Sequence, residues 1–167
     1  MEIIVQQGSI TDIECDVAVV NLFRGVKFPG GATGAVDKAL GGAITKAIAE
    51  TGFEGKLGET LFLTSNGKVS AKKVLIIGLG PADEFGYEEV EKVSQAAVSA
   101  SIAKGASKVA TIIHGGGIGG LDIIRAAKSI VKGSEEGFKK HGCETGKLII
   151  VEFNSEKAKN VAEAVKT

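Results

Sequence analysis

Cysteine is scarce in this chain of 167 residues, which holds only Cys15 and Cys143. The two residues lie far apart in sequence, and neither belongs to a CxxC motif or to a Cys/His cluster of the kind that binds zinc. A disulfide framework and a zinc site are therefore not implied. We predict two unpaired thiols.

An excess of one charge and a long apolar run are also missing. Twenty Lys and Arg residues balance twenty Asp and Glu residues, and the basic side chains are spread along the chain, so no charge pattern favours nucleic acid or an anionic membrane. No apolar run approaches the roughly 18 residues that span a bilayer, and the first residues, MEIIVQQGS, have no basic region. We expect a cytoplasmic protein with no nucleic-acid or membrane partner.

Glycine, by contrast, is abundant, with 24 of 167 residues, which is about twice its usual share. The glycines bunch just after apolar runs rather than spreading evenly. A chain of this length has the size of one domain and can bury about 70% of the surface that its unfolded form exposes. We therefore expect residues 1–167 to form a single domain with its own core.

Six short apolar or β-branched runs are predicted as strands, at residues 3–6, 17–21, 60–64, 73–78, 109–114 and 147–153. Runs such as KVLIIGLG and KLIIVEF are almost continuously apolar, which is typical of a sheet covered on both faces. Asn66-Gly67, between the third and fourth runs, is a favoured hairpin turn and predicts one antiparallel pair.

Four helices are predicted from apolar residues at helical spacing, over residues 33–50, 87–104, 121–133 and 155–165. Gly41 and Gly42 interrupt the first stripe, so they either break the helix or permit a close backbone approach. Because strands and helices mostly alternate, we predict an α/β fold with helices on both faces of a mixed, mostly parallel sheet.

Two glycine-rich loops each follow a predicted strand and precede a predicted helix. Ligands of open α/β sheets bind where such loops leave the strands, and amides at a helix start attract anions. Phosphate is the natural candidate, and a plain structural turn is the alternative. The candidate ligand residues are Asn21, Gly30, Gly31, Ala32, Thr33, Gly34, Ala35 and Val36 in the first loop and His114, Gly115, Gly116, Gly117, Ile118, Gly119 and Gly120 in the second.

Groups for catalysis are few. His114 either borders a ligand or is a hydrogen-bonded structural residue. Asp37 lies one turn into the first predicted helix, so we expect it to stabilise the helix N-terminus rather than to act as a general base. The sequence has no nucleophile elbow, no HExxH motif, and no carboxylate cluster with metal-ligand spacing. We therefore assign no catalytic residue, no metal and no cofactor.

Nearly the whole chain resembles the N-terminal domain of the leucyl aminopeptidase family, peptidase family M17. The resemblance is carried by Asp37, Leu40, Gly41 and Gly42, by Phe53, Gly55, Lys56 and Gly58, by Gly78, Leu79 and Gly80 with Phe85 and Glu88, and by the segment AAKSIVKGSEEGF. In that family the peptidase chemistry belongs to a separate C-terminal domain, which binds two metal ions through a lysine and several carboxylates. Those motifs do not occur in this sequence.

The resemblance therefore implies a non-catalytic domain with a regulatory or assembly role, either a natural short protein or a fragment. The chain ends at Thr167, where the resemblance implies that a linker to the catalytic domain begins. Because the family forms hexamers, we expect a homo-oligomer or a partner chain of the aminopeptidase type.

A second, shorter resemblance is to macro domains, which bind ADP-ribose, and it is carried by QGSITDIECDVAVVN and PGGATGAVDKALGG. It implies a three-layer α/β/α sandwich, with Asn21 ending a strand, Gly30, Gly31 and Gly34 in a first phosphate loop, and HGGGIGG as the second. Ser9 stands where the family has an aspartate that contacts adenine, and a hydroxyl is a weaker acceptor than a carboxylate. The alternative function is thus a module that holds a phosphate, a nucleotide or an ADP-ribose-like ligand between the two loops. A hydrolase of ADP-ribose derivatives would need a general base that we do not find.

Overall fold

The computed structural model describes residues 1–117 and 119–166, and it is organised around one six-stranded sheet. The strands are β1 (Glu2–Gln7), β2 (Cys15–Leu22), β3 (Thr60–Thr64), β4 (Ala71–Gly78), β5 (Lys108–Thr111) and β6 (Lys147–Glu152). Their order across the sheet is β1-β6-β5-β2-β4-β3, and every neighbouring pair is parallel except β3 with β4. The predicted mixed, mostly parallel sheet is confirmed.

The antiparallel pair turns where the sequence predicts. Asn66 and Gly67 have φ angles of 51° and 77°, and Lys68 N donates to Ser65 O at 3.0 Å. Two central residues with positive φ are what a type I′ turn requires, and an Asn-Gly pair adopts them readily.

Helices cover both faces of the sheet. They are α1 (Gly31–Ala39), α2 (Ala43–Thr51), α3 (Tyr87–Ala103), α4 (Ile123–Lys140) and α5 (Ser155–Val165). Ala18 and Val20 of β2 belong to the core beneath α1 and α2, whereas Val17 and Val19 belong to the core beneath α3, α4 and α5. Because neighbouring strand residues point to opposite faces, each central strand must be apolar throughout. The three-layer α/β/α sandwich is confirmed.

The first predicted helix, residues 33–50, is in fact two helices. Gly41 and Gly42 have φ angles of 67° and 86°, a left-handed conformation that ends α1 and precedes α2. The glycine pair is therefore a break, because glycine alone adopts this backbone without a steric cost from Cβ.

The helix predicted over residues 121–133 continues to Lys140, so Gly133 does not end it. A Cβ on Gly133 would clash with the backbone carbonyl of Glu91, which shows that α3 and α4 pack backbone to backbone at this point. The fifth strand, predicted to reach His114, ends at Thr111. In the part of the chain that the structure describes, no helix is long and apolar enough to cross a bilayer.

Candidate functional site

A cleft of about 810 Å³ opens at the carboxyl ends of the parallel strands. Its walls come from the first glycine loop before α1, the second glycine loop before α4, and the residues that follow β1 and β6. β2 and β5 are neighbours in the sheet, so the two glycine loops leave it side by side. This is the edge at which open α/β sheets bind ligands.

The amino end of α1 faces this cleft without a side-chain cap. Gly30 is the N-cap residue and offers no side chain, and the first amide used within the helix is Gly34 N, which donates to Gly30 O at 2.9 Å. The amides of Gly31, Ala32 and Thr33 therefore have no acceptor within α1. Gly31 has a φ of 55°, which a side chain would strain. These three N–H groups thus have no acceptor among residues 1–117 and 119–166 and lie beside the cleft, an arrangement also found at anion-binding helix termini.

Thr33 fixes this helix start to the end of β2. Its hydroxyl donates to Asn21 O at 2.8 Å and accepts from Asn21 N at 3.2 Å. Thr33 is 3% exposed, so water does not compete for these two hydrogen bonds. The start of α1 and the end of β2 therefore hold a fixed relative position.

A chain of hydrogen bonds runs beneath the cleft from β2 to β5. Asn21 Nδ2 lies 2.8 Å from His114 Nδ1, and His114 Nε2 lies 3.2 Å from Thr111 Oγ1, whose hydroxyl donates to Ile112 O at 2.8 Å. The residues are distant in sequence, 93 positions separating Asn21 from His114, but β2 and β5 bring them together.

His114 is neutral at physiological pH. The side chain is 1% exposed, and burial lowers the pKa of the imidazole to about 4. The ring lies under the cleft rather than on its wall, and both of its nitrogens are already hydrogen-bonded. Of the two interpretations of this histidine, the geometry fits the hydrogen-bonded structural one.

The second glycine loop differs from the first at its helix. The N-cap of α4 is Asp122, whose carboxylate accepts from Arg125 N at 3.0 Å, and the Asp122 amide donates to Tyr87 Oη at 2.9 Å. The amino end of α4 thus already holds a negative group, which disfavours an added anion. The start of α1 has no such acidic cap, and Gly115, Gly116 and Gly117 of the second loop line the cleft.

The structure brings most of the predicted site residues to one place. Those that line the cleft are Asn21, Gly30, Gly31, Ala32, Thr33, Ala35, Gly115, Gly116 and Gly117. Val36 and His114 are buried behind it, and Gly34 packs so closely on Pro29 that a Cβ would lie 2.8 Å from Pro29 O. Gly119 and Gly120 are not on the cleft wall, and Ile118 lies outside the described residues.

Residues after β6 complete the cleft, and sequence reasoning missed them. Phe153 lines it with 77% of its surface exposed, and Lys157, at the start of α5, stands beside it. Gln7 Nε2 donates to Phe153 O at 2.8 Å, which holds this segment against the end of β1. An aromatic residue directly after an apolar strand was the available signal, since that position meets the same edge of the sheet. Across residues 1–117 and 119–166, no group of three or more His, Cys, Asp or Glu side chains could hold a metal.

The fold defined by this sheet and cleft is that of macrodomains. A Trypanosoma brucei macrodomain solved in complex with ADP matches with a TM-score of 0.82 over 98% of this chain and 69% of that one, at 18% identity. An Oceanobacillus iheyensis macrodomain with ADP matches with a TM-score of 0.81 over 97% of this chain and 88% of that one, at 22% identity. At such low identity the likeness concerns the fold.

Sequence similarity identifies the family. Residues 19–141 match the Cytosol aminopeptidase family, N-terminal domain. A probable cytosol aminopeptidase of Alkaliphilus oremlandii is 32% identical over 110 residues, which cover 66% of this chain and 22% of the relative. The chain therefore belongs to the cytosol aminopeptidase family and corresponds to its N-terminal domain, and it spans about a fifth of that relative's length.

Proposed function

We propose that the cleft binds a phosphate-bearing small molecule of the nucleotide or ADP-ribose class. The observation that carries the proposal is the uncapped amino end of α1, where Gly31, Ala32 and Thr33 line the cleft and their amides have no acceptor within the helix. A dianionic phosphate would accept hydrogen bonds from these amides and would gain from the positive end of the helix dipole.

Two further features support a ligand larger than phosphate. Phe153 offers an exposed aromatic face on the cleft, and proteins of the same fold have been solved with ADP and with ADP-ribose. Ser9 also lines the cleft, but its hydroxyl is 2.7 Å from Thr11 Oγ1 and accepts from Thr11 N at 3.3 Å. Because that hydroxyl is occupied in capping a local turn, we assign it no role in reading a base.

Calorimetry with ADP-ribose, ADP, pyrophosphate and inorganic phosphate tests the proposal. A ligand at 100 times its dissociation constant should also stabilise the fold by about 2.7 kcal/mol, which a thermal-shift measurement detects. Gly31→Ala, which strains the backbone at φ 55°, should weaken every phosphate-bearing ligand. Gly105→Ala is the matched control, because Gly105 also has a positive φ with open space around it but lies at the other end of the sheet. No binding across the panel, or equal losses in both variants, would refute the proposal.

A second function, regulation or assembly within an aminopeptidase, is favoured by family membership. The chain corresponds to the N-terminal domain of relatives named cytosol aminopeptidases, and it covers 22% of one of them. Light scattering tests for a homo-oligomer, and titration with a separately expressed aminopeptidase catalytic chain tests for a partner. A monomer that binds no such chain would contradict this role, as would release of amino acids from leucyl peptides by the purified chain with manganese or zinc.

A further inference from the structure

We propose that His114 is a positioning residue, which fixes the side-chain amide of Asn21 with its oxygen toward the cleft. The cleft then selects ligands that place a hydroxyl or N–H donor near their phosphate, a sugar phosphate being the simplest class. This inference rests on the proposed function of the cleft and adds a selection rule to it.

The direction of each hydrogen bond in the series Asn21–His114–Thr111 follows from the hydroxyl of Thr111. A hydroxyl has one proton, and the Thr111 hydroxyl donates it to Ile112 O at 2.8 Å. With that proton on Ile112 O, the oxygen accepts from His114 Nε2 at 3.2 Å, and Nε2 carries the proton of the neutral ring. Nδ1 is then a bare acceptor, and the group 2.8 Å away from it must be a donor, which is the NH2 of Asn21.

The amide of Asn21 is thereby held in one orientation. With Nδ2 committed to His114, the group left for a ligand is Oδ1, which has no hydrogen-bond partner among the described residues. Asn21 is half-buried and lines the cleft, and Oδ1 is the amide atom left to face it. The opposite orientation would set Oδ1 against the bare Nδ1, two acceptors with no proton between them.

The amide oxygen of Asn21 gives the cleft a hydrogen-bond acceptor beside the hydrogen-bond donors at the start of α1. It repels the oxygens of a phosphate, which are best placed at the amino end of α1, and it accepts from a hydroxyl. Because Thr33 is bonded to the backbone of Asn21, the anion-binding amides and the amide oxygen are held by the same residue pair. A ligand that joins a phosphate to a hydroxyl can therefore engage both, whereas pyrophosphate can engage only the first.

The test compares ADP-ribose with pyrophosphate by calorimetry on the full chain. His114→Leu should weaken ADP-ribose about tenfold, which corresponds to the loss of one well-oriented hydrogen bond, and should leave pyrophosphate unchanged within about twofold. His114→Gln should restore ADP-ribose binding, because a glutamine can accept from Asn21 through its oxygen and donate to Thr111 through its nitrogen. Equal losses for both ligands, or no rescue by glutamine, would overturn the proposal.

Thr111→Val, which lies outside the cleft, tests the same hydrogen-bond series and replaces His114→Leu if that variant does not fold. The change is nearly isosteric and removes the acceptor that holds the proton on Nε2, so ADP-ribose should weaken while pyrophosphate does not. If the wild-type chain binds neither ligand, the proposed function fails. The positioning role is then tested by nitrogen-15 spectra of the free protein, which show which ring nitrogen of His114 carries the proton. A proton on Nδ1 would refute it, and a bare Nδ1 coupled to the Asn21 NH2 would support it.

Discussion

Asp37 caps a helix other than its own, since its Oδ2 accepts a hydrogen bond from Thr45 Oγ1 at 2.6 Å across the break between α1 and α2. Its Oδ1 accepts from the amides of Ile44 and Thr45 at 2.7 and 3.1 Å. The residue in the N-cap position of α2 is Gly42, which has no side chain, so the carboxylate is supplied from the preceding helix. Within the pattern of Asp37, Leu40, Gly41 and Gly42, the two glycines therefore separate α1 from α2 and the aspartate caps the second helix.

Replacing Asp37 with alanine should lower the free energy of unfolding by about 1–2 kcal/mol, because the first amides of α2 lose their acceptor. Urea denaturation measures the change. Asp83→Ala is the matched control, since Asp83 is exposed and no hydrogen bond to its carboxylate is present among the described residues. Equal stabilities of the two variants would show that the cap contributes nothing.

The sign of the effect of Gly133→Ala separates helix propensity from packing. In a free helix alanine is better than glycine by about 1 kcal/mol. At this position, however, a Cβ would clash with Glu91 O, and overpacking costs about 1–3 kcal/mol. We expect a net loss of stability by urea denaturation, whereas the exposed Glu136→Ala in the same helix should change stability little. A gain at Gly133 would mean that α3 and α4 separate at small cost.

Stability should fall as the pH drops from 7 to 5 because of His114. The unfolded side chain binds its proton near pH 6.5, whereas burial lowers the pKa in the folded state to about 4. Between these values the unfolded state binds more protons, so acid favours unfolding, by about 2 kcal/mol at pH 5 relative to pH 7. Urea titrations at both pH values should show this loss in the wild type and not in His114→Gln. The same pH dependence in both proteins would assign it to other groups.

The two cysteines should differ in reactivity. Cys15 is buried, and burial raises the pKa of its thiol to about 11, whereas Cys143 is half-buried. Because the thiolate is the reactive form, iodoacetamide at pH 8 should modify Cys143 first and Cys15 only after unfolding. Mass spectrometry of the digested protein measures both sites, and urea-unfolded protein is the control. Rapid labelling of Cys15 in the native protein would contradict its burial.

The sheet was predictable because its signal is local. Residues such as Val74 and Ile76 face one core while Leu75 and Ile77 face the other, so an unbroken apolar run directly indicates a strand covered on both sides. The Asn66-Gly67 turn is also a local signal, since both residues tolerate a positive φ. Features of this kind need no knowledge of distant contacts.

Features set by distant contacts could not be predicted. Gly133 resembles a helix stop in the sequence, and only the position of α3 shows that it is a contact with Glu91. His114 could have bordered a ligand or been structural, and its burial and its bond to Asn21 depend on the pairing of β2 with β5. The glycine loops were found from composition, but the difference between the uncapped α1 and the Asp122-capped α4 appears only in the structure.

The paired hydrogen bonds between Thr33 and the backbone of Asn21 have a consequence for the thermodynamics of binding. They order the start of α1 when the protein folds, before any ligand arrives. A ligand that binds there therefore loses little affinity to the ordering of backbone that was mobile before binding. The loss of conformational entropy in that half of the cleft occurs during folding, so the ligand binds to a surface that is already ordered.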